Sequence, residues 1–292
     1  MMGPSRRSLG SLGVLGALLF LAGCAHGPSR VSFVSNERPS GYTAAQGAPS
    51  RAAAHQENPN GRFDLGEDDF AEPEQPLANT KQERALVHIH GPKEICSGVL
   101  IGPKLVATAQ RCLRGVGKGV VALGPENEYR VEIASSALTW TNRRPKYAVI
   151  PQCDETELDV AILVLEEPAP VLAAPLKIVS APSTGARVRA LGFGHCEDSK
   201  AKERGGTVRS RQTSSVTIDI PLCKGDVGGP VIDGLDGEVV GVISRRDDPE
   251  GSPLKTTRIA RLDTTWSRDL VAQARLLTEG AQTANVQAIA CR

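Results

Sequence analysis

From residue 84 onward, short apolar segments recur between turn residues, at 85–89, 97–101, 106–109, 120–123, 160–165, 187–191, 216–220, 231–232 and 239–243. Many short strands at close spacing predict a β-barrel or sandwich. Asp236-Gly237 between two of them is a hairpin turn signal. In the first segment Ala85, Val87 and Ile89 alternate with His88 and His90, so the two histidines share the opposite face. That face is expected to be solvated, and with no third ligand in view the expectation is no metal and no cofactor. The period changes once, near the end. Leu270, Val271, Ala274 and Leu277 fall on one face of a predicted helix over 264–277, with Asp263 placed to cap it.

The first 80 residues have a different texture. Arg6 and Arg7 precede an apolar run that ends in Leu21-Ala22-Gly23-Cys24. The run is short for a membrane span, and its flanks suit a secretory signal. Leu-Ala-Gly-Cys resembles a bacterial lipobox, which implies a signal peptide over 1–23 and acylation of Cys24. Ala25 follows, and the resemblance to lipoprotein sorting then implies a lipid anchor in the cell envelope, at the outer membrane. Residues 24–80 are rich in Gly, Pro, Ser, Ala, Asn and Gln and end in an acidic patch. Without apolar periodicity they read as a disordered tether, leaving 84–292 as the folded domain.

Composition sharpens this picture in three ways. A net charge of +1 gives no general field toward nucleic acid. Only 3% of residues are aromatic, so the core must rest on Val, Leu, Ile and Ala. Seven cysteines are an odd number, and lipidation of Cys24 leaves six for bridges.

The chemistry centres on Cys223-Lys224-Gly225-Asp226-Val227-Gly228-Gly229-Pro230. Upstream stand Cys96-Ser97-Gly98-Val99-Leu100-Ile101, Thr108-Ala109-Gln110-Arg111-Cys112, Leu158-Asp159-Val160-Ala161-Ile162-Leu163 and Leu191-Gly192-Phe193-Gly194; Thr257-Arg258-Ile259 and the helix follow. In this order, over most of residues 84–277, these segments resemble the chymotrypsin/trypsin family of serine proteases. The resemblance implies an all-β fold of two antiparallel six-stranded barrels with a C-terminal helix and a site in the cleft between them. It places Val227 where the attacking serine stands, Arg111 where the catalytic histidine stands and Asp159 at the catalytic aspartate. Valine carries no nucleophile, and a guanidinium stays charged and accepts no proton. The N–H groups of Gly225 and Val227 remain candidates for an oxyanion hole. Arg111 and Asp159 are expected to form an ion pair, the alternative being an Arg111 turned to solvent.

The resemblance also implies an altered substrate pocket. Pro221 falls at its base, Ser244-Arg245-Arg246 replace the substrate-binding strand with Arg246 crowding the mouth, and Leu254 fills a wall. The family's cleaved amino terminus, which would pair with Asp226, is not found upstream of Arg84, so Asp226 needs another partner. Cys96–Cys112 follows the family's histidine-loop bridge; Cys196–Cys223 and Cys153–Cys291 are the remaining guesses. His195 reads as a loop residue. Lys200, Lys202, Arg204, Arg209 and Arg211 fall in a loop that borders the cleft in the family. They are either a solvated loop or, with Arg111, Arg245 and Arg246, a positive surface for an acidic ligand. Three functions stay open: an inactive protease homologue that binds a protein or peptide, a weakly active or atypical serine endopeptidase, and a regulator that binds substrates or inhibitors of an active protease.

Overall fold

Fourteen strands and two helices carry the chain through residues 79–194, 203–248 and 254–283, the residues that this computed structural model describes. The first half runs α1 (Lys81–Ala85), β1 (Leu86–His90), β2 (Ile95–Gly102), β3 (Leu105–Thr108), β4 (Gly119–Ala122), β5 (Arg130–Ala134), β6 (Trp140–Arg143), β7 (Pro145–Ile150) and β8 (Ala161–Leu165). The second runs β9 (Arg187–Leu191), β10 (Glu203–Arg211), β11 (Ser215–Ile218), β12 (Pro230–Asp233), β13 (Val239–Arg246), β14 (Thr257–Arg261) and α2 (Thr265–Thr278).

The second half closes into a six-stranded barrel in the order β10-β11-β14-β13-β12-β9. The first half differs from the expected closed barrel. It is an eight-stranded sheet in the order β4-β7-β8-β3-β2-β1-β5-β6. Only Arg144 separates β6 from β7, yet these strands lie toward opposite edges of the sheet. The sheet must therefore curl until its edges meet at that residue. Pro145 opens β7 there without an N–H to give to a ladder.

The apolar spacing located most strands, several to within one or two residues, but it missed β5, β6, β7, β10 and β14. Strand β5 sets charged residues on alternate positions, as in Arg130-Val131-Glu132-Ile133, and β6, β10 and β14 are mostly polar, so these offer few apolar neighbours; β7 was missed although Tyr147-Ala148-Val149-Ile150 is a consecutive apolar run. The core is aliphatic: its largest fully buried side chains are all Leu or Ile. Helix α2 buries Ser267, Leu270, Val271, Ala274 and Leu277, one stripe at helical spacing. Its cap is Thr264, whose side chain accepts from Ser267 N, and not Asp263.

Asp263 has another task. Its carboxylate takes two hydrogen bonds of 2.8 Å from Arg261 and one of 3.1 Å from the Ala181 N–H. Burial opposes its charge, but the Arg261 hydrogen bond, the Ala181 N–H and the guanidinium charge outweigh that and hold the group below the usual carboxylate range. A carboxylate with a depressed folded-state pKa stabilises the fold above its unfolded value. That stability is lost as the pH falls through the folded value. Asp263→Asn is therefore expected to lower Tm at pH 7. Its further loss of Tm on acidification below about pH 4 should be shallower than in the unsubstituted chain. Melts recorded from neutral to acid pH check both.

Candidate active site between the halves

Arg111 sits in the 3₁₀ turn Gln110–Leu113, which follows β3 directly. Its neighbour Cys112 is bridged to Cys96 at the start of β2, with a Cα–Cα distance of 6.0 Å. Closing a loop of this size adds about 3 kcal/mol in the chain-entropy model and fixes the turn against the sheet. Arg111 faces inward. Its Nε lies 2.6 Å from Asp159 Oδ2, and its backbone N–H donates to Asp159 Oδ1 at 3.1 Å. From the other half, Ser244 Oγ on β13 donates to Oδ2 at 2.7 Å. Asp159 is 3% exposed, so its charge is out of water and held by these donors. The far end of Arg111 reaches Glu155 at 3.7 Å, and Glu155 also accepts from Arg114 at 3.1 Å. The hydrogen bond that Arg114 donates to Glu155 and the charge of that carboxylate raise the Arg114 pKa.

Ser244 therefore belongs to the Asp159 cluster, with its hydroxyl committed there. Arg246 is exposed and lies 3.9 Å from Asp248, and Leu254 is 67% exposed. Pro221 is also exposed; its carbonyl accepts from Arg204 at 3.1 Å.

The loop before β12 is fastened from β2 by one residue. The Ser97 N–H donates to the Val227 carbonyl at 2.8 Å, Ser97 Oγ donates to the Gly225 carbonyl at 2.8 Å, and Phe193 N–H donates to Ser97 Oγ at 3.0 Å. Val227 is half-buried against the core, and Cys112 Sγ lies 3.6 Å from its carbonyl oxygen. The loop thus lies beside the turn that holds Arg111. Among the described residues neither the Gly225 nor the Val227 N–H donates a hydrogen bond.

Asp226 is fully buried. It accepts from Gly194 N–H at 3.0 Å and Cys223 N–H at 2.8 Å, and the guanidinium of Arg204 pairs with its Oδ2. Gly192 and Gly194 are required by this packing, because a Cβ on either would run into the Asp226 carboxylate. The internal Arg204 supplies the partner that an amino terminus supplies in the family.

This overturns the loop reading of the basic run. Arg204, Arg209 and Arg211 lie on strand β10, and Lys200 and Lys202 lie outside the described residues. The arginines are partnered: Arg204 with Asp226, Arg209 with Asp219 at 2.8 Å, and Arg211 near Asp263 at 3.9 Å. Arg111 is paired as well. Cys153 and Cys223 are disulfide-bonded as well. Cys196 and Cys291, their expected partners, lie outside the described residues, as do His195 and Cys24.

Sequence reasoning missed Ser97, Glu155 and the inward role of Arg204, and it missed Glu132. Glu132 faces His88 across β1 and β5, so that face is half-buried and not simply solvated. The one available signal was alternation in residues 130–133, which puts Glu132 opposite the apolar Val131 and Ile133.

Comparison with known proteins agrees with this framework. Residues 96–242 match the family described as trypsin-like peptidase domain. Snake venom serine proteinase 14 of Crotalus adamanteus is 24% identical over 222 residues, covering 66% of this chain and 84% of its own. Beta-fibrinogenase of Macrovipera lebetinus is 25% identical over 224 residues, with the same coverage of each chain. Neuropsin, a serine protease expressed in the limbic system of mouse brain, superposes with a TM-score of 0.52 at 16% identity, over 70% of this chain and 99% of its own. The family match spans half of the sequence, the fold agrees, and the chain belongs to the trypsin-like peptidase domain family.

Proposed function

We propose that this chain is a catalytically inactive member of that family, a pseudoprotease that acts as a binding or scaffold module. The observation that carries this reading is the buried Arg111–Asp159 pair. A serine hydroxyl needs a neutral base to take its proton, and the base needs a carboxylate to hold its tautomer. In this protein the carboxylate is engaged by a permanent cation, and Val227 offers no oxygen to activate. Loss of one such group typically costs on the order of 10⁴–10⁶ in rate, and loss of a second adds little. The backbone donors at Gly225 and Val227 are suited to receiving a carbonyl oxygen but not to cleaving a bond. A protein or peptide is the ligand class that suits such a cleft.

The amino-terminal sequence extends the proposal. A signal peptide over 1–23, a lipid on Cys24 and a tether to residue 80 would hold the domain at the bacterial envelope, at the outer membrane. Two acyl chains or more make a stable anchor, since each buried methylene contributes about 0.8 kcal/mol. In that position the module would bind substrates or inhibitors of an active protease, or assemble other envelope proteins.

Casein hydrolysis by the purified chain tests the proposal. No turnover above a heat-treated control is expected. Turnover that survives repurification and disappears with Asp159→Ala would instead support weak or atypical endopeptidase activity.

A further inference from the structure

The geometry points to a binding site for a divalent transition-metal ion, Zn²⁺ by ligand type, formed by His88, His90 and Glu132. His88 and Glu132 are directly opposed partners on the antiparallel strands β1 and β5. His90 lies two residues further along β1 and so projects from the same face. One carboxylate oxygen, Glu132 Oε2, stands 3.5 Å from His88 Nδ1 and 3.4 Å from His90 Nε2. Ligand atoms from all three residues lie within 4.8 Å of one another.

The His90–Glu132 contact falls within hydrogen-bond range, but both contacts exceed the about 2.7–2.9 Å that a charge-assisted bond prefers. Tetrahedral Zn²⁺ with bonds of about 2.0–2.1 Å sets its ligand atoms about 3.3–3.4 Å apart, close to the two nitrogen–oxygen distances here. Two imidazoles and one carboxylate are a common zinc donor set, and they leave the fourth position for water or a ligand. His90 also borders an open cleft of about 460 Å³ that includes Leu123, Tyr129 and Arg144, so solvent can reach the cluster.

The ligands are braced. The His88 ring stacks on Phe193 with centroids 4.6 Å apart, and Trp140 meets Phe193 edge-on at 5.5 Å. Such support fixes ring orientation and favours metal binding. Phe193 is itself tied by its N–H to Ser97, the residue that fastens the Val227 loop. A bound ion would therefore brace the segment that underlies that loop.

The test uses the full chain, freed of metal with a chelator and titrated with ZnCl₂ by calorimetry. One ion per chain is expected, with a rise of several degrees in Tm at saturating Zn²⁺, because an ion that binds only the folded state stabilises it. CoCl₂ in place of zinc should give the intense visible absorption of a four-coordinate site. Glu132→Gln preserves shape and should weaken binding at least tenfold, as should His90→Asn. Both variants are first checked by circular dichroism, and the cobalt spectrum of the unsubstituted chain stands even where a variant fails to fold. Absence of stoichiometric binding, or equal affinity in both folded variants, overturns the proposal; in the latter case the ion is held by other histidines.

Discussion

Arg111→Ala is expected to destabilise the fold by about 3 kcal/mol, because it strands the buried Asp159 carboxylate without its cation. The figure lies at the low end for a broken buried pair. The Arg111 backbone N–H and the Ser244 hydroxyl still reach the carboxylate, and alanine keeps the N–H. The diagnostic comparison is Arg111→Ala combined with Asp159→Asn. The new carboxamide oxygen can accept from the residue 111 N–H while its NH₂ donates to Ser244, so charge and cation leave together. Denaturant unfolding should show the double variant to be more stable than Arg111→Ala alone. If the two changes were simply additive, Arg111 would be acting through its own packing and not through Asp159.

The second large effect belongs to Arg204. Arg204→Met keeps most of the stem but leaves Asp226, at 0% exposure, with only the Gly194 and Cys223 N–H groups. A cost of about 3–5 kcal/mol is expected, with faster hydrogen exchange concentrated in residues 223–229. Rescue by Asp226→Asn should be poorer here than at Asp159. Both remaining partners of Asp226 are donors, and a carboxamide has only one acceptor oxygen facing them. Unchanged exchange in that loop would mean that Arg204 does not hold it.

Much of this was legible in the sequence, for identifiable reasons. Strands such as β2 and β8 announced themselves by consecutive apolar residues, whereas the similar run Tyr147-Ala148-Val149-Ile150 in β7 was passed over. The order of the motifs around Cys96, Arg111, Asp159 and Val227 carried the fold. Strand β10 was hidden because its alternate positions are glycine, threonine and arginine. The two-barrel plan came from the resemblance; that the first half is one eight-stranded sheet curling back on itself at Arg144 was not legible. Apart from the Arg111–Asp159 pair, which the resemblance implied, long-range polar pairing was not legible. Nothing near Arg204 in the sequence reveals that Asp226 lies over it, and nothing near His88 reveals Glu132, because such pairs exist only once β10 and β5 have found their neighbours.

The central claim is that the cleft keeps the protease frame while presenting no activated oxygen. Incubation of the purified chain with a serine-directed fluorophosphonate, followed by intact mass spectrometry, tests this most directly. The account predicts an unmodified mass. A stoichiometric phosphonyl adduct on any hydroxyl of the folded domain, abolished by prior heat denaturation, would contradict it.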